Sequence, residues 1–256
     1  MHSVIALLFF IPLLLSTVTH GSHWVYEGAS SGPDHWGDLK EEYRECKAGR
    51  NQSPVNLDLD KANYEPYSEI IFLYRATPLK VVNNGHTFQM DYLPGSAIDL
   101  GTERFWLKQA HFHSPSEHTL GGKSFDLEVH LVHQNAYGHL AVVGVLVDKG
   151  KHNVILNRIW RQFGPIKEAK EVQEPAAPSP DDLPFNAIHL LPKDRTYFSY
   201  SGSLTTPPCT EGVRWQVMIH PIEASGAQID WFRRYFPKNA RPLQPLLGRK
   251  VLHNFY

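Results

Sequence analysis

The chain has 256 residues, of which 42% are hydrophobic and 20% charged, and its formal net charge is -1. This size suits one large globular domain or two small ones. The balanced charge gives no reason to expect nucleic acid or a membrane surface as a partner. Fifteen histidines are many for this length, which is compatible with metal chemistry.

Residues 1–21 are predicted to form a secretory signal peptide. The apolar run from Val4 to Leu15 is too short to span a bilayer, and small residues follow it around a cleavage site near Gly21, although the start of the chain lacks Lys and Arg. The alternative is a buried N-terminal strand or helix. No later stretch is apolar enough for a membrane span. We therefore expect a secreted or periplasmic domain of residues 22–256, with no membrane anchor after signal removal.

Short strands and two helices are predicted along the chain. An irregular arm covers residues 23–51, and β-rich runs between turn signals predict strands at Ile70–Tyr74, Leu79–Val82, Thr87–Tyr92, Ala97–Leu100, Phe105–Ala110, Phe125–His133, His139–Val147, Tyr197–Ser201 and Val213–His220. The strand at His139–Val147 is apolar on both faces, so we expect it to be central in its sheet. Helical spacing predicts helices at His152–Phe163 and Ser225–Phe236. A Pro-rich surface loop at 175–184 and an irregular tail complete a single, mainly-β domain with peripheral helices.

The stretch from Gln109 to His133 contains three histidines with the spacing of metal ligands. His111 and His113 are two residues apart in a run of strand character, so both side chains point to one face, about 6.6 Å apart along the backbone. Gly121 and Gly122 predict a turn, after which a returning strand carries Glu128, His130 and Val132 on one face. If the two strands pair in register, His130 becomes the third ligand. Three histidines and one open position describe a catalytic zinc site rather than a structural one.

Other interpretations of this stretch are open from the residues alone. A single His in an apolar strand is usually a hydrogen-bonded core residue. The spacing from His111 and His113 to Glu117 also fits the first motif of cupins, in which the Glu is a fourth ligand for iron or manganese. The sequence lacks the Gly six residues before His111 and the Pro-x-Gly before His130 that a cupin would carry. Residues 122–124 (Gly-Lys-Ser) echo a phosphate loop, but Glu117 stands where its first Gly is required.

Cys46 and Cys209 are the only two cysteines. An even number in an oxidising compartment favours one disulfide bond, and two buried free thiols are the alternative. Neither cysteine has a second Cys or a His at chelating spacing, which argues against a cysteine metal site.

Several separated blocks together resemble the alpha-class carbonic anhydrases, in particular the bacterial members. They include His-Phe-His at 111–113, Ser-Glu-His at 116–118, Glu-Val-His-Leu-Val-His at 128–133, Tyr-Ser-Gly-Ser-Leu-Thr-Thr-Pro-Pro-Cys at 200–209, and Arg-Pro-Leu-Gln-Pro at 241–245. The resemblance covers nearly the whole chain after residue 24. It implies a domain built around a large, twisted, mostly antiparallel sheet that carries a zinc ion at the bottom of a conical cavity.

The resemblance also implies the reaction, which is the reversible hydration of carbon dioxide to bicarbonate and a proton. In this family zinc-bound hydroxide attacks the substrate, and a histidine shuttles the proton. The zinc ligands fall on His111, His113 and His130, and Gln109 and Glu128 are placed to orient their rings. Thr205 is expected to accept the hydroxide proton and to donate its own to Glu117.

The remaining roles also follow from the resemblance. Carbon dioxide has no charge and a weak dipole, so an apolar pocket is expected from Val132, Val142, Leu204 and Trp215, with bicarbonate contacts from Thr205 and Thr206. His86 occupies the proton-shuttle position, and the residues expected to order the intervening water are Tyr26, Asn84 and Gln89. A bond between Cys46 and Cys209, as in many secreted relatives, would brace the loop that carries Thr205. Relatives that bind or store without catalysis have lost metal ligands, whereas all three ligand histidines are present in this sequence. The sequence does not distinguish a monomer from a homodimer.

Overall fold

A computed structural model of the chain describes residues 23–66, 69–162 and 184–255. The predicted signal peptide and most of the Pro-rich loop lie outside these residues. Among the residues described, no helix has the length and hydrophobicity needed to cross a membrane.

The described residues form fourteen strands and four α-helices. The strands are β1 (Asn56–Leu57), β2 (Asn63–Tyr64), β3 (Ile70–Leu73), β4 (Lys80–Asn83), β5 (Phe88–Asp91), β6 (Ala97–Leu100), β7 (Glu103–His113), β8 (Thr119–Leu120), β9 (Leu127–Gln134), β10 (Leu140–Lys149), β11 (Tyr197–Ser203), β12 (Glu211–Met218), β13 (Ile222–Ala224) and β14 (Leu252–His253). The helices are α1 (Trp36–Leu39), α2 (Glu45–Ala48), α3 (Val154–Trp160) and α4 (Gly226–Tyr235). Short 3-10 helices cover Pro33–His35, Glu41–Tyr43, Leu59–Lys61 and Ala187–Leu190.

One large sheet organises the domain. Its strand order is β2-β14-β11-β12-β10-β9-β7-β5-β4, with β13 added beside β10, and with β6 pairing β7 and β3 in turn. Most pairs are antiparallel, but β10 runs parallel to β12 and β13, and β14 runs parallel to β2. The predicted mainly-β fold with a large, mostly antiparallel sheet and peripheral helices is confirmed.

The central position predicted for the strand at His139–Val147, which is β10 in the structure, is also confirmed. β10 lies between β9 and β12, and its side chains enter two separate apolar clusters on opposite faces of the sheet. Val143 and Val145 join the cluster that α3 and α4 cover, whereas Val142 and Leu146 join the other. A strand buried on both faces must be apolar at every position, which explains its continuous hydrophobic run.

The two predicted helices form within their predicted ranges and have clear N-terminal caps. The Asn153 side chain accepts from the backbone N–H groups of Ile155 and Leu156 at the start of α3. Ser225 and Gln228 form a capping box at the start of α4. The tail predicted as irregular contains one short strand, β14, which pairs with β11. Its two residues are too few for a sequence pattern to reveal.

Candidate active site

Strands β7 and β9 bring three histidines together. In this antiparallel pair His111 lies directly opposite His130, and His113 follows two residues later on β7. The ring centroids are 5.0 Å apart for His111 and His113, 5.2 Å for His111 and His130, and 4.5 Å for His113 and His130. One ring nitrogen from each residue lies within 4.8 Å of the other two. This cluster can therefore surround a single ion.

A β-bulge in β7 directs these histidines toward the site. The register of β7 against β9 shifts between Leu107 and Gln109. Before the shift, odd-numbered residues such as Leu107 enter the helix-covered core; after it, even-numbered residues such as Ala110 and Phe112 do so. A bulge inserts one residue and reverses which side chains face the core. Without it, His111 would point into the apolar layer.

Each histidine is oriented by a hydrogen bond from the nitrogen that faces away from the cluster. The bonds are His111 Nδ1 to Gln109 Oε1 (2.8 Å), His113 Nδ1 to the Asn239 carbonyl (2.7 Å) and His130 Nε2 to Glu128 Oε1 (2.9 Å). Because these partners are acceptors, each ring carries its proton on that nitrogen and turns a lone pair inward. The inward Nε2 of His113 is buried and has no hydrogen-bond partner among the described residues. An orphaned lone pair of this kind fits a metal ligand.

Burial keeps the three rings neutral. It lowers the pKa of His113 to about 4, and it also lowers the pKa values of His111 and His130, which neighbouring rings further depress. A neutral imidazole is the form that coordinates a metal ion. The donor set of three neutral nitrogens therefore fits zinc, which binds histidine in tetrahedral sites and in catalytic centres leaves the fourth position open.

Glu128 is a buried carboxylate that serves two histidine rings. Its Oε1 accepts from His130 and from His118 Nδ1 (2.8 Å), and its Oε2 accepts from the backbone N–H groups of Glu117 and His118. Burial opposes its ionisation, but the two rings outweigh that effect and hold the pKa of Glu128 well below its usual range. The group of His118, Glu128 and His130 also has the proximity of a metal site. Its nitrogens already donate to the carboxylate, so a second ion is not needed to explain it.

Glu117 lies beside the triad and not within it. Its Oε1 accepts from the backbone N–H of Arg241 at 2.8 Å, and its Oε2 is 3.9 Å from His130 Nδ1. Burial raises the pKa of Glu117 to about 7, although His130, the Arg241 amide and the Thr205 side chain all lower it in part. Oε2 has no partner at ordinary hydrogen-bond geometry among the described residues. The clustered ligand atoms do not include this carboxylate, which speaks against the cupin arrangement.

An apolar row lies next to the histidine row. Across β9, β10 and β12, Val132 pairs with Val142 and Val142 pairs with Trp215, two positions along from His130. Val142 and Trp215 are almost fully buried, and Val132 and Leu204 pack against the same cluster. The Trp215 ring is 4.8 Å from that of His130. Three of the four residues predicted to form an apolar pocket thus lie in one row across neighbouring strands, and Leu204 packs against the same apolar cluster.

The comparison with known proteins now decides the family. A family model described as eukaryotic-type carbonic anhydrase matches residues 31–255. The chain belongs to the alpha-class carbonic anhydrases. A carbonic anhydrase from Nostoc sp. is 41% identical to this chain over 233 residues, which are 90% of this chain and 85% of the relative. A carbonic anhydrase from Klebsiella pneumoniae is 42% identical over 243 residues, which are 93% of this chain and 94% of the relative.

A solved structure supports the same assignment. The alpha-carbonic anhydrase from Thermovibrio ammonificans, in complex with the inhibitor sulfanilamide, has a TM-score of 0.82 and 42% sequence identity, over 91% of this chain and 99% of that one. The resemblance deduced from the motifs is confirmed, and the chain is an enzyme of the carbonic anhydrase class, a lyase.

In this carbonic anhydrase fold, His86 lines a small cavity together with two of the clustered histidines. The cavity, of about 110 Å³, is lined by His111, His113 and Thr206 and also by His86, Tyr26, Asn84 and Gln89. Gln89 lies directly opposite His111 on the neighbouring strand, and its amide oxygen accepts from Asn84 at 3.3 Å. The polar residues predicted to order water therefore share this cavity with His86, His111 and His113.

His86 is stacked on Trp24, which the sequence analysis did not single out. The two rings are parallel within 8°, with centroids 3.7 Å apart, and the His23 ring is 5.3 Å away. Burial, with a smaller contribution from the nearby His23, lowers the pKa of His86 to about 4. A tryptophan in an irregular arm carries no periodicity that could have pointed to this contact.

The predicted disulfide is formed. Cys46 and Cys209 are bonded across 163 residues of sequence, and both are buried against Trp36. In the loop from Thr205 to Cys209, the backbone N–H of Cys209 donates to the carbonyl of Thr206. The bond therefore anchors the end of the Thr205–Thr206 loop to the N-terminal arm.

Sequence reasoning also missed a buried polar chain behind the site. Tyr200 bonds to His118 Nε2 at 2.7 Å and to Ser53 Oγ at 2.7 Å, so the chain runs from Ser53 through Tyr200 and His118 to Glu128. The Tyr-Ser-Gly-Ser and Ser-Glu-His motifs contain Tyr200 and His118, but nothing in the spacing of the two motifs predicted that these residues meet. Arg241, equally unforeseen, donates to Gln52, Ser53 and Cys46 while its amide binds Glu117.

Proposed function

We propose that this carbonic anhydrase family member hydrates carbon dioxide reversibly with a zinc ion held by His111, His113 and His130. The observation that carries the proposal is the set of three neutral imidazoles, whose inward nitrogens cluster beside an apolar row. When bound, zinc supplies a Lewis acid that lowers the pKa of a water molecule to about 7, which provides a nucleophile at neutral pH.

Glu117 and Thr205 are proposed to orient that nucleophile. A divalent cation beside the triad would favour the ionised form of Glu117, which then accepts the single proton of Thr205 Oγ1. Thr205 Oγ1 would then have only lone pairs to offer, so it would accept a hydrogen bond from the nucleophile and thereby orient it. The effect of Thr205 on the pKa of Glu117 supports this pairing.

The apolar row is proposed to hold carbon dioxide. The side chains of Val132, Val142 and Leu204 make no hydrogen bonds, and the Trp215 Nε1 donates to the carbonyl of Ser203, so this row has no free group that would hold ordered water. A nonpolar substrate can therefore displace water there at little cost. Thr205 and Thr206, which follow Leu204 in the chain, would bind the charged product.

His86 is proposed to carry the proton out of the cavity. With a pKa of about 4 in the ring stack, Nδ1 and Nε2 of His86 accept a proton poorly at neutral pH. Transfer near pH 7 therefore requires the ring to leave Trp24 for a more solvated position, where its pKa returns toward 6.5. Tyr26, Asn84 and Gln89 would order water between His86 and the site.

The protein is proposed to be exported to an oxidising compartment, either the periplasm or the cell exterior, with residues 1–21 removed as a signal peptide. The buried Cys46–Cys209 disulfide supports this location, since such bonds persist outside the reducing cytosol. N-terminal sequencing of the mature protein tests the cleavage, and a mature chain that begins at Met1 would contradict it. Size-exclusion chromatography with light scattering distinguishes a monomer from the homodimer that the sequence leaves open.

Metal analysis combined with a stopped-flow hydration assay tests the proposed reaction. We expect one zinc per chain, with activity lost on chelation and restored by zinc. His111→Ala should lose zinc and activity together, whereas Glu117→Gln should keep zinc and lose most activity. Bound iron that is lost in Glu117→Gln would support the cupin alternative instead. Full zinc content without hydration would support a binding or storage role.

A further inference from the structure

Asn239 joins two parts of the site that the sequence keeps far apart. Asn239 lies in the irregular segment after α4 and is only 2% exposed. Its side-chain Nδ2 donates to the carbonyls of His86 and Phe112, both at 2.9 Å. Its Oδ1 accepts from the backbone N–H of Ser114 at 2.7 Å. The turn that carries His86 and the end of β7 thus bond to one amide group.

The backbone of the same residue holds a ligand ring. The Asn239 carbonyl accepts from His113 Nδ1 at 2.7 Å, and its N–H donates to the Ser114 carbonyl at 3.0 Å. The position of that carbonyl depends on the side chain, because the bonds from Oδ1 and Nδ2 fix the residue against β7. The carboxamide uses both of its donors and its acceptor in fixed directions. A carboxylate of the same shape lacks the two donors, and alanine lacks all three groups.

We propose that Asn239 is a positioning residue that couples the metal-ligand geometry at His113 to the placement of the proton carrier His86. This inference rests on the proposed function. Through its carbonyl, Asn239 sets the direction of the His113 ring. Through its Nδ2, it sets the distance of the His86 backbone from β7, and hence the length of the water path that a proton must cross. A carbonyl that orients a metal-binding histidine affects metal affinity or activity by about 10–100-fold.

The test uses the zinc-loaded, full-length protein with Asn239→Ala, and the milder Asn239→Ser in case the alanine variant folds poorly. Asn135→Ala is the matched control, because Asn135 is also a buried asparagine with several side-chain hydrogen bonds. It follows the end of β9, accepts from the backbone N–H groups of Tyr137 and His139, and donates to Glu103. Zinc release into a chromogenic chelator reports on His113 without any turnover. Stopped-flow measurements at low and high imidazole concentration separate kcat, which contains proton transfer, from kcat/KM.

The Asn239 variants should release zinc about 10-fold faster than the wild-type protein. Their kcat in weak buffer should fall about 10-fold, with a smaller loss in kcat/KM, and imidazole should restore part of kcat. Asn135→Ala should lose thermal stability and change none of these. The inference is overturned if the Asn239 variants lose kcat and kcat/KM equally, without imidazole rescue and with zinc release unchanged. Failure of the proposed function would instead appear as a zinc-loaded wild-type protein without hydration activity.

Discussion

Removal of the Cys46–Cys209 disulfide should cost stability far more than it costs catalysis. The bond joins residues 163 apart, and in the chain-entropy model a loop of that length stabilises the folded state by about 5 kcal/mol. For a domain of this size each kcal/mol corresponds to roughly 2–4 °C in Tm, so a drop of about 10–20 °C is expected. Arg241 still binds the carbonyl of Cys46, and Gln52 that of Cys209, so the arm should stay docked.

Calorimetry of the oxidised protein, the reduced protein and the double variant Cys46→Ala/Cys209→Ala measures this effect. Reductant should lower the Tm of the wild-type protein to that of the double variant, and should leave the variant unchanged. The Thr206 carbonyl keeps its bond from the Cys209 amide, so kcat/KM at 25 °C should change by less than about threefold. If mass spectrometry shows two free thiols and the Tm has moved by less than about 2 °C, the loop-closure argument is wrong.

Three further outcomes are expected. Trp24→Ala should raise the pKa of His86 from about 4 toward 6.5, since the stacked ring no longer desolvates it; an NMR titration with an unchanged midpoint would contradict this. Glu128→Gln should weaken zinc binding about 10–100-fold in a chelator competition, and equal affinity would refute the orienting role. Burial lowers the pKa of His133 to about 3 from 6.5, so below pH 6.5 the unfolded chain takes up a proton that the folded one refuses. The free energy of unfolding of the wild-type protein should therefore fall between pH 7 and pH 4.5, and His133→Gln should remove up to about 2.7 kcal/mol of that fall. Urea titrations that show equal falls for the two proteins would count against the argument.

The sequence predicted the elements of this site that depend on strand periodicity. His111, His113 and His130 could be placed because a strand alternates its faces and because Gly121 and Gly122, both at positive φ, permit the turn between the two strands. The central position of β10 followed from its apolar run. In each case the information is local, since two or three neighbouring residues determine where a side chain points.

The bulge in β7 could not be predicted in this way. No Gly or Pro marks Leu107, Lys108 and Gln109, and the shift is stabilised by distant strands, with the Tyr92 amide donating to the Lys108 carbonyl. The segment from 236 to 241 has no period at all, although its Asn239 and Arg241 bind the site directly. Irregular backbone satisfies its hydrogen bonds through tertiary partners, and those partners are invisible until the chain is folded.

Gly144 illustrates how the central sheet accommodates the buried charge of the site. It lies beside His130 on β10, where a glycine weakens a strand and packs nothing. A Cβ atom there would lie 2.9 Å from Glu128 Oε1, closer than real Cβ contacts allow. The missing side chain leaves room for the carboxylate that accepts from both His130 and His118. A glycine at this position of β10 is thus required to hold an ionised Glu128 behind the histidine cluster, because a larger residue would occupy the space from which the carboxylate reaches both rings.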